Sequence, residues 1–247
     1  MGLPRGLEHF SNFFKEYEDS YVIIGGGAAS AYLDDAGLEF RTTKDIDMVL
    51  FTNKSKGLNK KISEYISLGK FEMKERTDDT PRYYRFSKPE DKDFPEIVEI
   101  FAKVNSEIEL KEGQYIGPIQ NDGEAQLSAI LLDEEYFNLI KENSIKSYNG
   151  YSIINPYANI CLKARAYREL QECYEDSKKV RKHLKDVLRL TQALEEKVFP
   201  LSGRPKEDFE TIYTALGELS RKEVKQVVGD IITKDDALDI LNKCFRQ

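Results

Sequence analysis

Three acidic side chains in otherwise apolar strand-like runs are the residues in this chain best placed to do chemistry. Asp45 and Asp47 stand at i and i+2 in Lys44-Asp45-Ile46-Asp47, just before Met48-Val49-Leu50-Phe51. On a strand, side chains two apart project from one face, so the two carboxylates are expected side by side. Like charges this close repel by roughly 1–4 kcal/mol at dielectrics between water and a protein surface. A cation relieves that repulsion, and hard divalent cations bound through carboxylate oxygen beside a phosphorylated substrate are the usual solution. The third acid is expected from a neighbouring strand. Glu99, in the middle of Pro95-Glu96-Ile97-Val98-Glu99-Ile100-Phe101, is the first candidate, and Glu96, of opposite parity, the second.

A place for phosphate lies about twenty residues upstream. Tyr21-Val22-Ile23-Ile24 reads as a buried strand running into Gly25-Gly26-Gly27 and then a short helix over 28–36. Glycines at such a junction let backbone N–H groups and a helix N-terminus approach an anion closely. Gly25 and Gly26, with Ser30, are therefore candidate phosphate ligands. Arg41 and Thr43, just before the aspartates, are candidates to tie down this loop or to touch the nucleotide. The same segment also resembles a dinucleotide-binding turn. Against that, Ser30 stands where a third glycine belongs, and the acids lie at the beginning of the second strand, not at its end.

The elements that must hold these residues follow from periodicity. A helix is expected over 4–18 and another over 58–68. Strands are expected over 45–51, 71–76, 82–86, 97–104, 126–132 and 151–154, with a helix over 134–142. After Asn155-Pro156 the strand signal ceases. Helices are expected over 157–172, 177–197, 206–216, 222–231 and 234–244, with a break at Pro200–Pro205. Strands with interspersed helices, then helices alone, give an α+β fold: a mixed sheet with flanking helices over 1–154, followed by an all-helical bundle domain over 155–247.

Composition narrows the functional classes. The chain has 247 residues, 40% hydrophobic and 33% charged, with a formal net charge of −7. That acidic balance argues against a protein that coats nucleic acid with its whole surface, while leaving room for a local basic wall. Residues 163–189 form one, with nine basic residues against five acidic. Three cysteines (Cys161, Cys173 and Cys244) without a C-x-x-C pair, and two histidines far apart, suggest neither a disulfide framework nor a zinc site. No apolar run approaches 18 residues, so a soluble, cytoplasmic protein with no membrane partner is expected.

Four segments together resemble the motifs of the AbiEii-like nucleotidyltransferases. They are Gly25-Gly26-x-Ala28, Arg41-x-Thr43-x-Asp45-Ile46-Asp47, Leu162-Lys163-x-x-Ala166 and Lys185-Asp186. This family is a branch of the DNA polymerase β superfamily, several of whose members are toxins of toxin–antitoxin pairs. The resemblance implies a polymerase-β-type nucleotidyltransferase core, Mg²⁺ or Mn²⁺ dependence, and an NTP donor. The acceptor hydroxyl would lie on a tRNA or other RNA end, on a protein, or on a small molecule such as an aminoglycoside-type antibiotic. It also implies a cognate antitoxin as partner, and it matches Lys163 and Asp186 to nucleotide-binding positions. The chain departs from the family at Ile24, where many relatives carry lysine, and at Arg189, where an aspartate is common. Arg168 is only an approximate equivalent of the family's arginine. These departures keep open a non-catalytic nucleotide-binding or toxin–antitoxin interaction protein as the alternative.

Overall fold

The computed structural model describes residues 3–51, 57–73, 84–103, 116–118, 128–172 and 177–246. Among these, nine strands form one mixed sheet. They are β1 (Tyr21–Ile24), β2 (Asp45–Leu50), β3 (Glu72–Met73), β4 (Arg85–Ser87), β5 (Ile97–Lys103), β6 (Ile116–Pro118), β7 (Ser128–Leu132), β8 (Ser144–Lys146) and β9 (Ser152–Ile154). The main path runs β3-β4-β5-β2-β1-β9-β8. At the sheet's centre β2 is antiparallel to β1 and parallel to β5. The far edge of β5 is shared: β4 pairs antiparallel with its first half, β7 parallel with its second, and β6 closes on β7.

The helices are α1 (Leu7–Phe13), α2 (Gly25–Asp35), α3 (Leu58–Leu68), α4 (Glu134–Glu142), α5 (Pro156–Glu172), α6 (Ser177–Thr191), α7 (Gly203–Glu218), α8 (Arg221–Val228) and α9 (Lys234–Phe245). No helix among the described residues is long and apolar enough to cross a membrane. The fold is thus α+β, a mixed sheet with flanking helices followed by helices alone. The character changes at Asn155-Pro156, where Asn155 Oδ1 accepts from the Ala158 N–H at 2.9 Å and proline occupies the first helical position.

Two hydrophobic clusters meet along α2. The first packs β1, β2 and β5 against an aromatic group in which Tyr65 contacts Phe10, Phe14 and Phe94. The second is made by α5 to α9, but Ala29, Leu33, Phe40 and Tyr136 also belong to it. The first turns of α5, from Pro156 to Cys161, are buried almost all round because the helix lies between α2 on one side and α6 and α7 on the other.

Several elements differ from their expected bounds, each for a local reason. The glycine run does not precede α2 but forms its first turn, because Gly25 takes φ +67 directly after the last strand residue. Helix 4–18 divides into α1 and a 3-10 turn, Lys15–Tyr17. The helix over 177–197 stops at Thr191, and α7 starts at Gly203, inside the expected break, since Pro205 is tolerated in a first turn whose N–H groups have no intrahelical partner. Strands β6 and β8 had no expected counterpart. Positions 74–76, 82–83, 104 and 126–127 of the expected strands lie outside the described residues, as does Cys173. Cys161 and Cys244 are buried free thiols.

A buried polar joint ties the two clusters. Tyr136 on α4 donates to Asp208 Oδ2 on α7 at 2.6 Å, and Arg168 on α5 reaches Asp208 Oδ1 at 2.9 Å. Replacing Tyr136 with phenylalanine leaves a buried carboxylate oxygen without its donor, which costs about 1–3 kcal/mol. Urea denaturation of Tyr136→Phe should show that loss with an unchanged slope; a loss below about 0.5 kcal/mol would show that the joint carries little weight.

Candidate active site

The sheet's register assembles the acids. Ile24 on β1 pairs with Asp47 on β2, Asp47 with Glu99 on β5, and Glu99 with Arg85 on β4. Side chains at paired positions share a face, so Asp47, Glu99 and Arg85 form one row across three strands. Asp45, two residues before Asp47, is on the same face and pairs with Ile97. The opposite face, with Ile46, Met48, Val98 and Ile100, is buried core.

Asp47 and Glu99 share a hydrogen bond. Burial pushes the Asp47 carboxyl up to about 7, with the Glu99 charge next in weight; Lys163 pulls against this and Asp45 adds to it. Glu99 is engaged a second time, by the Arg85 guanidinium. Among the described residues no group of three or more His, Cys, Asp or Glu stands in position to hold a metal ion. The Asp47–Glu99 pair nevertheless suits one: two half-buried carboxyl groups in contact repel one another, relieved in part by Arg85 on Glu99 and by the Lys163 charge acting on Asp47. The second candidate, Glu96, lies just before β5 and pairs with Lys44 at 2.9 Å.

The start of α2 abuts this row. A Cβ at Gly25 would collide with Asp47 Oδ2, and φ +67 there is itself a conformation that favours glycine. A Cβ at Gly26 would fall 2.6 Å from Thr43 Oγ1, with Arg41 Nη2 only 3.7 Å away. Glycine at both positions therefore lets Asp47 and Thr43 pack directly against the backbone of the α2 start, with the Arg41 guanidinium beside them. Ser30 is buried more than a turn further along α2, beyond the four N–H groups that a helix leaves unbonded at its start.

A second charged centre lies beyond Arg41. Asp186 on α6 is fully buried and accepts from Arg41 Nε and Nη2, both at 2.8 Å. Lys163 Nζ on α5 is 3.5 Å from Asp186 Oδ2, and Arg189 Nη1 is 3.7 Å from Oδ1. Burial alone would raise Asp186, but the Arg41 hydrogen bonds, then the charges of Lys163, Arg41 and Arg189, hold it below the usual carboxylate range. His183, on the same helix, is driven down to about 4 by burial and by Lys163, with Lys182 and Arg41 adding to the effect against Asp186. It is a neutral imidazole among cations at neutral pH. Lys163 thus turns to this centre, whereas its neighbour Arg165 turns away to Asp133 and Glu169. Arg168 holds Asp208, Glu207 and Glu172, so the residue nearest to the family's arginine is occupied by the helical packing.

No family model and no curated protein matches this chain. Among solved structures it is similar to an antigenic nucleotidyltransferase-like protein from Paracoccidioides brasiliensis. The TM-score is 0.48 and the identity 14%, over 97% of this chain and 95% of that one.

Two residues of the site had no place in the sequence reading. Arg85 enters through the pairing of β4 with β5, a long-range choice that local pattern does not encode. Asn159, which donates from Nδ2 to the Gly25 carbonyl at 3.0 Å, is 1% exposed. Its signal was present: an amide inside the apolar run Tyr157-Ala158-Asn159-Ile160-Cys161. Its Oδ1, like His183 Nδ1 and Arg189 Nη1, is buried without a hydrogen-bond partner.

The raised Asp47 makes a signed prediction. The fold holds the proton that the unfolded chain releases near pH 4, so this group's contribution to stability is complete below that pH and is lost as pH rises through about 7. Asp47→Asn should match wild type near pH 4 and exceed it at pH 8 by about 1–3 kcal/mol, the usual cost of an uncompensated buried charge. Thermal unfolding of both proteins across this range checks it. Equal stability at pH 8 would show that the carboxyl pair is not under electrostatic strain.

Proposed function

We propose that the chain is a Mg²⁺- or Mn²⁺-dependent nucleotidyltransferase that moves a nucleoside monophosphate from an NTP to an acceptor hydroxyl. The observation that carries this reading is the adjacency of two charge-inverted centres around the α2 N-terminus. Acids from β2 and β5 lie on one side, and the cations around Asp186 on the other. A triphosphate needs both: cations and N–H groups for its oxygens, and carboxylates where a divalent ion bridges phosphate and acceptor.

Asp47, Glu99 and Asp45 would hold the ion, which when bound neutralises charge on the departing pyrophosphate. The chain's own residues do the rest. The first-turn N–H groups at Gly25 and Gly26 would meet phosphate oxygens at the α2 N-terminus. Arg41, fixed by its two bonds to Asp186, presents its guanidinium edge beside Gly26, and Lys163 adds charge from the helical region. Once the proton shared by Asp47 and Glu99 is displaced on binding of the ion, Glu99 would help take up the proton of the acceptor hydroxyl. Asp186 acts by orienting Arg41 and Lys163, not by touching the nucleotide.

The finer assignment rests on the motifs. We place the chain in the AbiEii-like branch, with a nucleotidyltransferase domain over 1–154 and a helical domain over 155–247. On this view it acts in the cytoplasm, on a tRNA or other RNA end or a protein, as the toxin of a pair with a cognate antitoxin. A non-catalytic nucleotide binder is the second reading. It is favoured by Arg85, which occupies the third carboxylate.

Calorimetry with each NTP plus Mg²⁺, followed by incubation with α-labelled NTP and total RNA or protein, tests both. Saturable NTP binding and label transfer, lost at least 100-fold in Asp47→Ala, are expected of the enzyme. NTP binding without transfer identifies the binder. An absence of NTP binding, or binding unchanged in Asp45→Ala/Asp47→Ala, overturns the site.

A further inference from the structure

Glu99 is the middle member of the row Arg85–Glu99–Asp47, and the register of three strands puts one partner directly on each side of it. Cross-strand neighbours of this kind have Cβ atoms about 4.5–5.5 Å apart, so a guanidinium at 85 can reach Glu99. It does reach: Arg85 Nη1 donates to Glu99 Oε1. Arg85 also has another place to go. With Arg5, Glu72, Lys88, Glu96 and Ile97 it lines an open cleft of about 610 Å³ on the same side of the sheet. The carboxylates of that cleft each hold a lysine, Glu72 the cleft's own Lys88 and Glu96 Lys44 outside it.

We infer that Arg85 is a positioning residue that competes with the divalent cation for Glu99, and so sets how tightly the site holds the ion. This rests on the nucleotidyltransferase reading of the carboxylates. In the absence of the ion, Arg85 neutralises Glu99 and keeps the third carboxylate from completing the set with Asp45 and Asp47. Binding the ion requires Glu99 to exchange a guanidinium for the metal, and the freed guanidinium turns into the cleft. The exchange moves a fixed positive charge away from the ion. Arginine suits this role because it stays charged at all working pH values, so the competition does not switch off.

The test is Mn²⁺ affinity of the full-length chain, read by the electron paramagnetic resonance of free Mn²⁺ without nucleotide or turnover. Arg85→Gln should bind about 3- to 5-fold tighter than wild type, the upper part of the span of a partly exposed ion pair. Arg85→Met should behave the same way, and Arg85→Lys, which keeps a charge, should lie between. In a Glu99→Gln background, replacing Arg85 should change affinity by less than about 2-fold, because the contested carboxylate is gone. Equal or weaker binding by Arg85→Gln overturns the inference and leaves the carboxylate site standing. So does a gain of the same size in the Glu99→Gln background, which would mean only that a nearby positive charge was removed. If neither wild type, Arg85→Gln nor Arg85→Met shows a saturable Mn²⁺ site, the metal reading falls and the inference with it.

Discussion

Two carboxyl groups held in contact on neighbouring strands, Asp47 and Glu99, are the constraint around which the rest of the site is arranged. The in-register parallel pairing of β2 with β5 leaves them no other placement. Slipping either strand by one residue would turn its own acid into the core and Ile46 or Val98 out of it, so the hydrophobic face enforces the acidic one. The same register forces glycine at 25, where the backbone must pass against Asp47 Oδ2. An apolar core thus fixes a polar arrangement that is unfavourable by itself, at the centre of the sheet, where the strands are least free to adjust.

The charge around Asp186 has the opposite imbalance. One fully buried carboxylate faces Arg41, Lys163 and Arg189, with Lys182 also close enough to feel both Asp186 and Arg41. A buried ion pair adds little net stability once desolvation is counted. A cluster with surplus cations adds less, and its most direct use is to orient side chains. Arg41 illustrates this, since two 2.8 Å bonds to Asp186 leave its fork little rotational freedom beside Gly26. His183 stays neutral in the same cluster, so it adds no further positive charge at neutral pH.

Much of this was legible in the residues themselves. The i, i+2 spacing of Asp45 and Asp47 before an apolar run is a local signal, and β2 begins at Asp45. An acid centred in the apolar run at Glu99 is another, and β5 sets it opposite Asp47. The α3 and α4 bounds, set by clean 3.6-residue periods, agree with the structure residue for residue. What pattern could not supply were partners distant in sequence. Arg85 depends on how β4 meets β5, and Asn159 on how α5 packs across the first turn of α2. Strand β8 is too short and too exposed for alternation to register. The start of α2 was misplaced because glycine carries a low helix propensity, which the close strand-to-helix junction overrides.

The link between the two regions bears on how the site works. Asn159 from α5 holds the Gly25 carbonyl, and Asp186 from α6 holds Arg41, so the helical region grips both sides of the α2 start. The Asn159 bond is not a stability optimum, since Asn159 keeps a buried Oδ1 without a hydrogen-bond partner. Leaving a buried polar atom unmet costs about 1–3 kcal/mol, a large fraction of the net stability of a chain this size. Such a cost is borne where geometry matters more than stability, and here it falls on the helix that packs against the glycine turn. A ligand bridging the carboxylate row and the cation cluster would therefore meet groups already oriented by both regions. Its binding energy need not be spent on bringing them together, and the two charge imbalances would be relieved by the same molecule.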